Sequence, residues 1–498
     1  MPLPRWSVAC PTKGRGRTRN TAAPLNEDWD ETECEQGGKT IMRTKPIQRM
    51  AYAGLCLTLA LANPVRGATT AVAAATPEAR VRCRIETERS VLPARTQENT
   101  ILKITLEAAD APADVHQRTP VNLSIVLDRS GSMGGAKIEH ARQAAIEAVR
   151  LLRPDDIVSL VTYDSQIETV IPPQRIRNIE WMEEQIRRIQ PRGMTALFGG
   201  VSQGAAELRK HLDGRYTHRM ILLSDGIANV GPSQPADLGR LGASLLKEGI
   251  QVSTVGIGLD YNDALMADLA RSSGGNTHFV ENSADLPRIL AAELGEAQRL
   301  VARQAVVEIV LPEGVEPVRI IGRDGRISSR TVNVPLHHLQ GGQTRYALVE
   351  VRVAPQAPRA TLELARVRVS YDDPAANTRV TSGDQAVSVT FSEDTAAVTA
   401  SANAEVHVEV LHNTLAVAQE EAIRLSDEGR AKDAAASLRG VAQAYNEMAE
   451  RLNDDTLRRQ AQDIDGDAAR LESRGLDRRN RNAMRAKSYQ TINQQKVR

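Results

Sequence analysis

A chain of 498 residues has room for several hydrophobic cores, at roughly 100–200 residues per domain. Its 63 basic and 62 acidic side chains nearly cancel, which excludes a global field drawing it to nucleic acid or to an acidic membrane. Three Phe, three Trp and eight Tyr are too few for base stacking or a sugar-binding platform as a main function.

Residues 1–41 are polar and lack periodicity. They read as a disordered extension or as sequence upstream of the true start, with Met42 or Met50 the favoured initiator. Arg43, Lys45 and Arg49 precede an apolar run, Met50 to Ala62, which is short of the about 20 residues that cross a bilayer. Residues 42–68 therefore read as a secretory signal, cleaved after Ala60-Leu61-Ala62 or Val65-Arg66-Gly67. The expectation is an exported protein, periplasmic, cell-surface or extracellular, with no transmembrane helix. Cys56 lies inside the apolar run behind Leu55 rather than at its end, which argues against lipidation. Cys83 is then the only cysteine left after the signal, so stability must come from core burial and not from an intrachain disulfide. Its neighbours Arg82 and Arg84 could lower its pKa, but a plain strand residue is the favoured reading.

Residues 69–80 are rich in Ala and Thr and read as a flexible lead-in. Residues 81–117 begin with strand-like alternation, clearest in Ile101 to Leu106, and end in a linker marked by Pro112 and Pro120. Over 118–300 short apolar runs alternate with helical periods. The runs are Leu123–Leu127, Ile157–Tyr163, Glu168–Ile171 before Pro172-Pro173, Met220–Leu223, Val252–Val255 and His278–Val280. The first helix carries Ile138, Ala141, Ala145, Ala148 and Leu152 at helical spacing. Such alternation predicts a doubly wound, Rossmann-like α/β domain. Over 303–395 the period returns to two, as a β-sandwich requires. The strands before Pro120 have no predicted partners of their own. They are expected to pair with 303–395, so that the α/β domain is inserted into a β-sandwich domain. Residues 404–473 form a helical hairpin region with stripes at Leu411, Leu415, Ala418, Ala422 and Leu425, and at Ala434, Leu438, Val441, Tyr445, Met448 and Leu452. Residues 474–498 are a basic tail. It reads as a solvated segment or a helix pinned on the β-domain, with a patch for anionic lipid or another partner as the alternative.

Chemistry concentrates in the α/β segment. Asp128, Ser130 and Ser132 follow the first strand in Val-Leu-Asp-Arg-Ser-Gly-Ser-Met. Thr195 stands in Gly-Met-Thr-Ala-Leu, and Asp225 follows a strand in Leu-Leu-Ser-Asp-Gly. All five offer oxygen, the donor a hard divalent cation prefers. The alternate spacing of Asp128, Ser130 and Ser132 lets side chains of a tight loop converge, at the carboxyl end of a strand where open α/β sheets place ligands. Ser132 could instead cap the next helix, and Asp225-Gly226 is a common turn pair. The motif and its order resemble the metal-ion-dependent adhesion site of the von Willebrand factor A family. Asp225-Gly226-Ile227-Ala228-Asn229-Val230-Gly231 and Gly256-Ile257-Gly258 with Asp260-Tyr261-Asn262 are similar to its bacterial members and to inter-alpha-inhibitor heavy chains.

The resemblance implies Mg2+, Mn2+ or Ca2+ held by Asp128, Ser130, Ser132, Thr195 and Asp225. It also implies a protein partner whose Asp or Glu completes the coordination, with Thr195 entering or leaving direct contact as the domain switches. The function expected is a non-enzymatic, adhesion-type binding protein. The alternatives are an assembly module with a structural metal, or a metal-dependent hydrolase. The last is opposed by the absence of a Gly-x-Ser-x-Gly elbow, a Walker loop or a His-Glu-x-x-His motif. His140 on the first helix could approach the metal loop, and the adjacent His337 and His338 are expected on opposite faces of a strand.

Overall fold

The computed structural model describes residues 80–110 and 119–495. The extension at 1–41 and the signal at 42–68 lie outside the described residues. The chain enters with strands β1 (Val81–Thr87), β2 (Val91–Pro93) and β3 (Glu98–Ala108). The α/β domain follows as β4 (Val121–Asp128), α1 (Ala136–Leu151), β5 (Ile157–Tyr163), β6 (Ile167–Arg175), α2 (Ile179–Arg187) and α3 (Leu197–Arg209). It continues with β7 (Thr217–Ser224), α4 (Pro235–Lys247), β8 (Ile250–Ile257), α5 (Asp263–Ser273), β9 (Thr277–Val280) and α6 (Leu286–Gln298). Then come β10 (Leu300–Val310), β11 (Val315–Ile321), β12 (Arg326–Ser328), β13 (Thr331–Gln340), β14 (Thr344–Val353), β15 (Thr361–Asp373), β16 (Thr378–Thr381) and β17 (Gln385–Ser392). Helices α7 (Thr395–Ala400), α8 (Ala404–Asp427), α9 (Ala431–Leu452), α10 (Asp455–Arg474) and α11 (Arg478–Ile492) close the chain.

The α/β sheet runs β6-β5-β4-β7-β8-β9. All its pairs are parallel except β5 with the edge strand β6. Strands β4, β5, β7 and β8 are buried along their whole length, as a sheet covered on both faces demands. On β4, Val121, Leu123, Ile125 and Leu127 meet α1 and α6 on one face, and Val126 meets α3 on the other. The sequence expectation ended the third strand at Pro172; β6 instead runs through both prolines to Arg175. An edge strand tolerates this because one side has no ladder bond to lose.

The sandwich has two sheets, ordered β1-β3-β14-β11 and β12-β13-β10-β15-β17-β2, with β16 beside β15. Strand β3 pairs with β14 from Glu98–Val353 to Glu107–Thr344, so the inserted topology holds. One detail differs from expectation: β1 does have a partner from its own segment, β3. Cys83 is a half-buried β1 residue with a free thiol, and burial pushes its pKa up to about 11. No described helix is long and apolar enough to cross a membrane.

Residues 478–492 of the basic tail are helical, and the helix is pinned mainly on the α/β domain and on α8, with its end also tied to the β-domain where Arg323 donates to Ile492 O at 2.9 Å. Arg485 meets Asp263 at 2.8 Å, Arg479 meets Glu281, and Tyr489 OH donates to Gly275 O at 2.7 Å.

Candidate metal centre

Strand order reverses between β4 and β7, because the chain leaves β4 for β5 on one side and later returns to β7 on the other. Such a reversal opens a crevice at the carboxyl ends of the strands. Asp128 ends β4, and Asp225 directly follows β7. Both carboxylates are fully buried there. A 3-10 turn over Gly131–Met133 carries Ser132 toward the crevice.

The five residues meet. Ser130 Oγ and Ser132 Oγ are 3.0 Å apart, and Ser132 Oγ donates to Asp225 Oδ1 at 2.8 Å. Ser132 is therefore not a helix cap; Gly135 occupies that position for α1. Asp128 accepts from the Ser130 amide at 2.8 Å and from Ser224 Oγ at 2.7 Å. Thr195 is brought in by the loop before α3. Gly131 N donates to Gly193 O at 3.1 Å, and Thr195 N donates to Asn229 Oδ1 at 2.8 Å. Gly193 has φ of 70°, a conformation that suits glycine.

Gly226 shows how close these oxygens come. A Cβ there would lie 3.1 Å from Thr195 Oγ1, 3.5 Å from Ser132 Oγ and 3.8 Å from Ser130 Oγ. The result is a cradle of hydroxyl and carboxylate oxygens that any side chain at 226 would invade. One positive charge stands beside it, the Lys137 ammonium paired with Asp225. Burial pushes the Asp128 carboxyl up to about 6, and the Asp225 charge adds to that, although hydrogen bonds from Ser130 and Ser224 oppose it. An all-oxygen donor set with two buried carboxylates fits a hard divalent cation.

Several contributors were not assigned a role from sequence. Lys137 Nζ donates to Asp225 Oδ2 at 2.5 Å. It sits in the first turn of α1, where the helix dipole disfavours a cation; that misplaced charge was the available signal. Asn229 lies in the quoted Asp225–Gly231 stretch, but its work on the Thr195 backbone is a tertiary contact. Arg129 is buried and bridges Asp164 at 2.7 Å and Glu168 at 2.8 Å. His140 does not reach the site; its Nδ1 pairs with Ser283 Oγ at 2.7 Å. His338 is buried and His337 half-buried at the junction with the β-domain, with His337 at φ 58° where β10 and β13 slip register.

The doubly wound sheet thus carries an oxygen-lined cradle at its switch point, with no sulfur or imidazole among the five residues that form it. Residues 122–292 match the family model of the von Willebrand factor type A domain. An uncharacterised protein of Synechocystis sp. is 29% identical over 279 residues, covering 54% of this chain and 66% of the relative. The inter-alpha-trypsin inhibitor heavy chain H3 of Rattus norvegicus is 25% identical over 174 residues, or 33% of this chain and 20% of that protein. The chain thus spans less than two thirds of these relatives. A von Willebrand factor type A structure from Catenulispora acidiphila superposes with a TM-score of 0.61 at 19% identity, covering 78% of this chain and 95% of that one. The ArnB paralog VWA2 from Sulfolobus acidocaldarius gives 0.55 at 17%, covering 83% and 98%. The sandwich and the inserted domain are therefore shared together with solved folds.

Proposed function

We propose that the protein is an exported, non-enzymatic binding protein that grips a protein partner through a divalent cation. Asp128, Ser130, Ser132, Thr195 and Asp225 would hold the cation. When bound, it supplies an electrophilic position for an oxygen of the partner, and an Asp or Glu side chain suits that position best. Mg2+ is the favoured ion, with Mn2+ and Ca2+ as alternatives.

The observation that carries this reading is the cradle at Gly226, where the hydroxyls of Ser130 and Ser132 from one loop and of Thr195 from another close around the position a Cβ would take, next to Asp225. The domain match supports it, since such domains commonly engage protein ligands through a divalent metal. The distance of His140 from the site, fixed by its bond to Ser283, removes the obvious general base and weighs against a hydrolase. Export rests on the basic-apolar pattern of residues 42–68.

Titration calorimetry with Mg2+ tests the site directly. The wild-type chain should bind one ion, and Asp128→Ala should bind none. An unchanged isotherm in Asp128→Ala sinks the assignment.

A further inference from the structure

A cavity of about 340 Å3 opens between the two domains at the start of β7, the end of that strand away from Asp225. Its walls come from the loop before β7, the end of α4, the start of β10 and the β15–β16 turn. The volume sits at the small end of the roughly 300–1,000 Å3 usual for ligand pockets. Strand β10 is irregular here. Its register against β15 shifts between Arg303 and Val306, and Gln304 holds φ of 48°, which is uncommon outside glycine. Bulges re-aim the side chains beside them, and Arg303 lines the cavity.

The charges on the walls do not balance. Four carboxylates line the cavity, and each already has an arginine. Asp213 pairs with Arg215 at 2.6 Å, and Glu248 pairs with Arg209 at 2.6 Å. Asp372 pairs with Arg379 at 3.0 Å, and Asp373 with Arg80 at 3.5 Å. Two further cations on the wall, Lys247 and Arg303, have no carboxylate within ion-pair distance among the described residues. The exposed Lys247 suits the carboxyl end of α4 on its own account. Arg303 has no such reason. It is half-buried, and its Nη1 donates to a neutral acceptor, Gly214 O, at 2.9 Å. Its Nε and Nη2 are shut off from water without a partner. A charge taken out of water calls for a counter-charge, and burial holds the Arg303 pKa below its ordinary value. His218 and His338, also on the wall, are kept neutral by burial and add no charge.

We propose that this cavity binds a small phosphate-bearing molecule, its dianion shared between Arg303 of the sandwich and Lys247 of the α/β domain. A phosphate monoester carries about 1.5 to 2 negative charges at pH 7, which matches two cations that lack a carboxylate. Guanidinium and ammonium groups are the usual partners of phosphate. The exposed side chains of Asn377 and Thr378 add hydrogen-bonding groups at the mouth. Because the two cations belong to different domains, the ligand ties the sandwich to the inserted domain, remote from the oxygen cradle.

Titration calorimetry on the full chain tests this, in metal-free chloride buffer at pH 7 and constant ionic strength. Leaving out metal keeps phosphate from binding through a cation at the cradle. Inorganic phosphate and glycerol 3-phosphate are the probes, and succinate is the dianionic control. Both phosphates should bind at one site, and the tighter of the two tells whether the free ion or an ester is the better ligand. Succinate should bind about tenfold more weakly, because its two charges are not on one group. Lys247→Ala should weaken phosphate about tenfold, and Arg303→Gln should abolish binding. If Arg303→Gln does not fold, Lys247→Ala on the exposed end of α4 decides alone. No binding by the wild-type chain, succinate as tight as phosphate, or a Lys247→Ala isotherm equal to that of the wild type overturns the proposal.

Discussion

Lys137 and Asp225 are the pair whose balance the centre turns on. Asp225 is wholly buried, and the Lys137 ammonium at 2.5 Å is a direct counter-charge. Lys137→Met keeps the stem and removes the charge. In chelator the variant should lose about 2 kcal/mol, less than the roughly 3–5 kcal/mol of a fully buried broken pair because Lys137 is partly exposed. Added Mg2+ should restore most of that, so the Tm gap between Mg2+ and chelator widens relative to wild type. A gap that stays the same would show that Lys137 and the cation do not share Asp225. Gly226→Val makes the opposite case. Its side chain would intrude on Thr195 Oγ1 and Ser132 Oγ, so the stabilisation by Mg2+, about 2.7 kcal/mol at a hundredfold excess over Kd, should disappear from melting curves while the fold persists. The five oxygen donors were legible because each follows a strand or a Gly-rich turn in a fixed order. Lys137 and Asn229 were not assigned a role, because their work is done across loops that only the folded sheet brings together.

At the scale of elements, α11 departs furthest from what its sequence suggested. Its composition is strongly basic, which reads as a solvated tail. Yet the arginines are matched to acids of the α/β domain: Arg479 to Glu281, and Arg481 and Arg485 together to Asp263. The apolar grip comes from Tyr489, packed on Ala267 and Ala270, and from Met484, packed into the core of the helical region. A docking face built from Arg, Asn and Tyr leaves no hydrophobic period to read. Asp263 is only 11% exposed and carries two guanidinium partners. Asp263→Asn should therefore destabilise the chain by about 2 kcal/mol in urea titrations, the usual range for hydrogen bonds to charged groups. It should also speed amide exchange along 478–492. If exchange on α11 is unchanged, the pairs to Asp263 do not hold the helix, and Tyr489, Met484 and the Arg479–Glu281 and Arg481–Asp427 pairs suffice. The β-sandwich was easier to foresee, since β14 and β15 alternate cleanly. The β1–β3 pairing was missed, because a short first segment gives no hint that it folds back on itself, and the three- and four-residue strands β2, β12 and β16 are too short to show a period.

Over the whole molecule, the insertion makes the two domains share a polar junction at the end of the sheet opposite the cradle. Arg219 of β7 reaches Glu293 of α6 at 3.9 Å, and His278 of β9 pairs with the same carboxylate at 2.8 Å. From the sandwich side come Arg303, His337, His338 and Arg345, all of them buried or half-buried. Burial, and after it the neighbouring guanidinium groups, holds the histidines neutral. His337 is pushed down to about 3, His338 lies well below its ordinary value, and His218 at the base of β7 is lowered to about 4. A histidine whose folded pKa lies below its unfolded one binds fewer protons when folded. Its contribution to stability is whole above the unfolded value near 6.5 and shrinks as pH falls toward the folded value. Asp128, raised to about 6, and Glu88, raised by burial, work the other way, but they stand against four histidines, since burial also lowers His407 to about 4. Stability in urea should therefore fall steadily between pH 7 and pH 5, in chelator so that metal occupancy does not intrude. His218→Gln should flatten that slope without moving the Mg2+ isotherm at pH 7, because His218 bonds Asp213 O and Asn122 far from Asp225. A slope that His218→Gln leaves untouched would shift the origin of the acid sensitivity to His337, His338 and His407, and a stability that rises toward pH 5 would mean that the junction takes up protons in the folded chain.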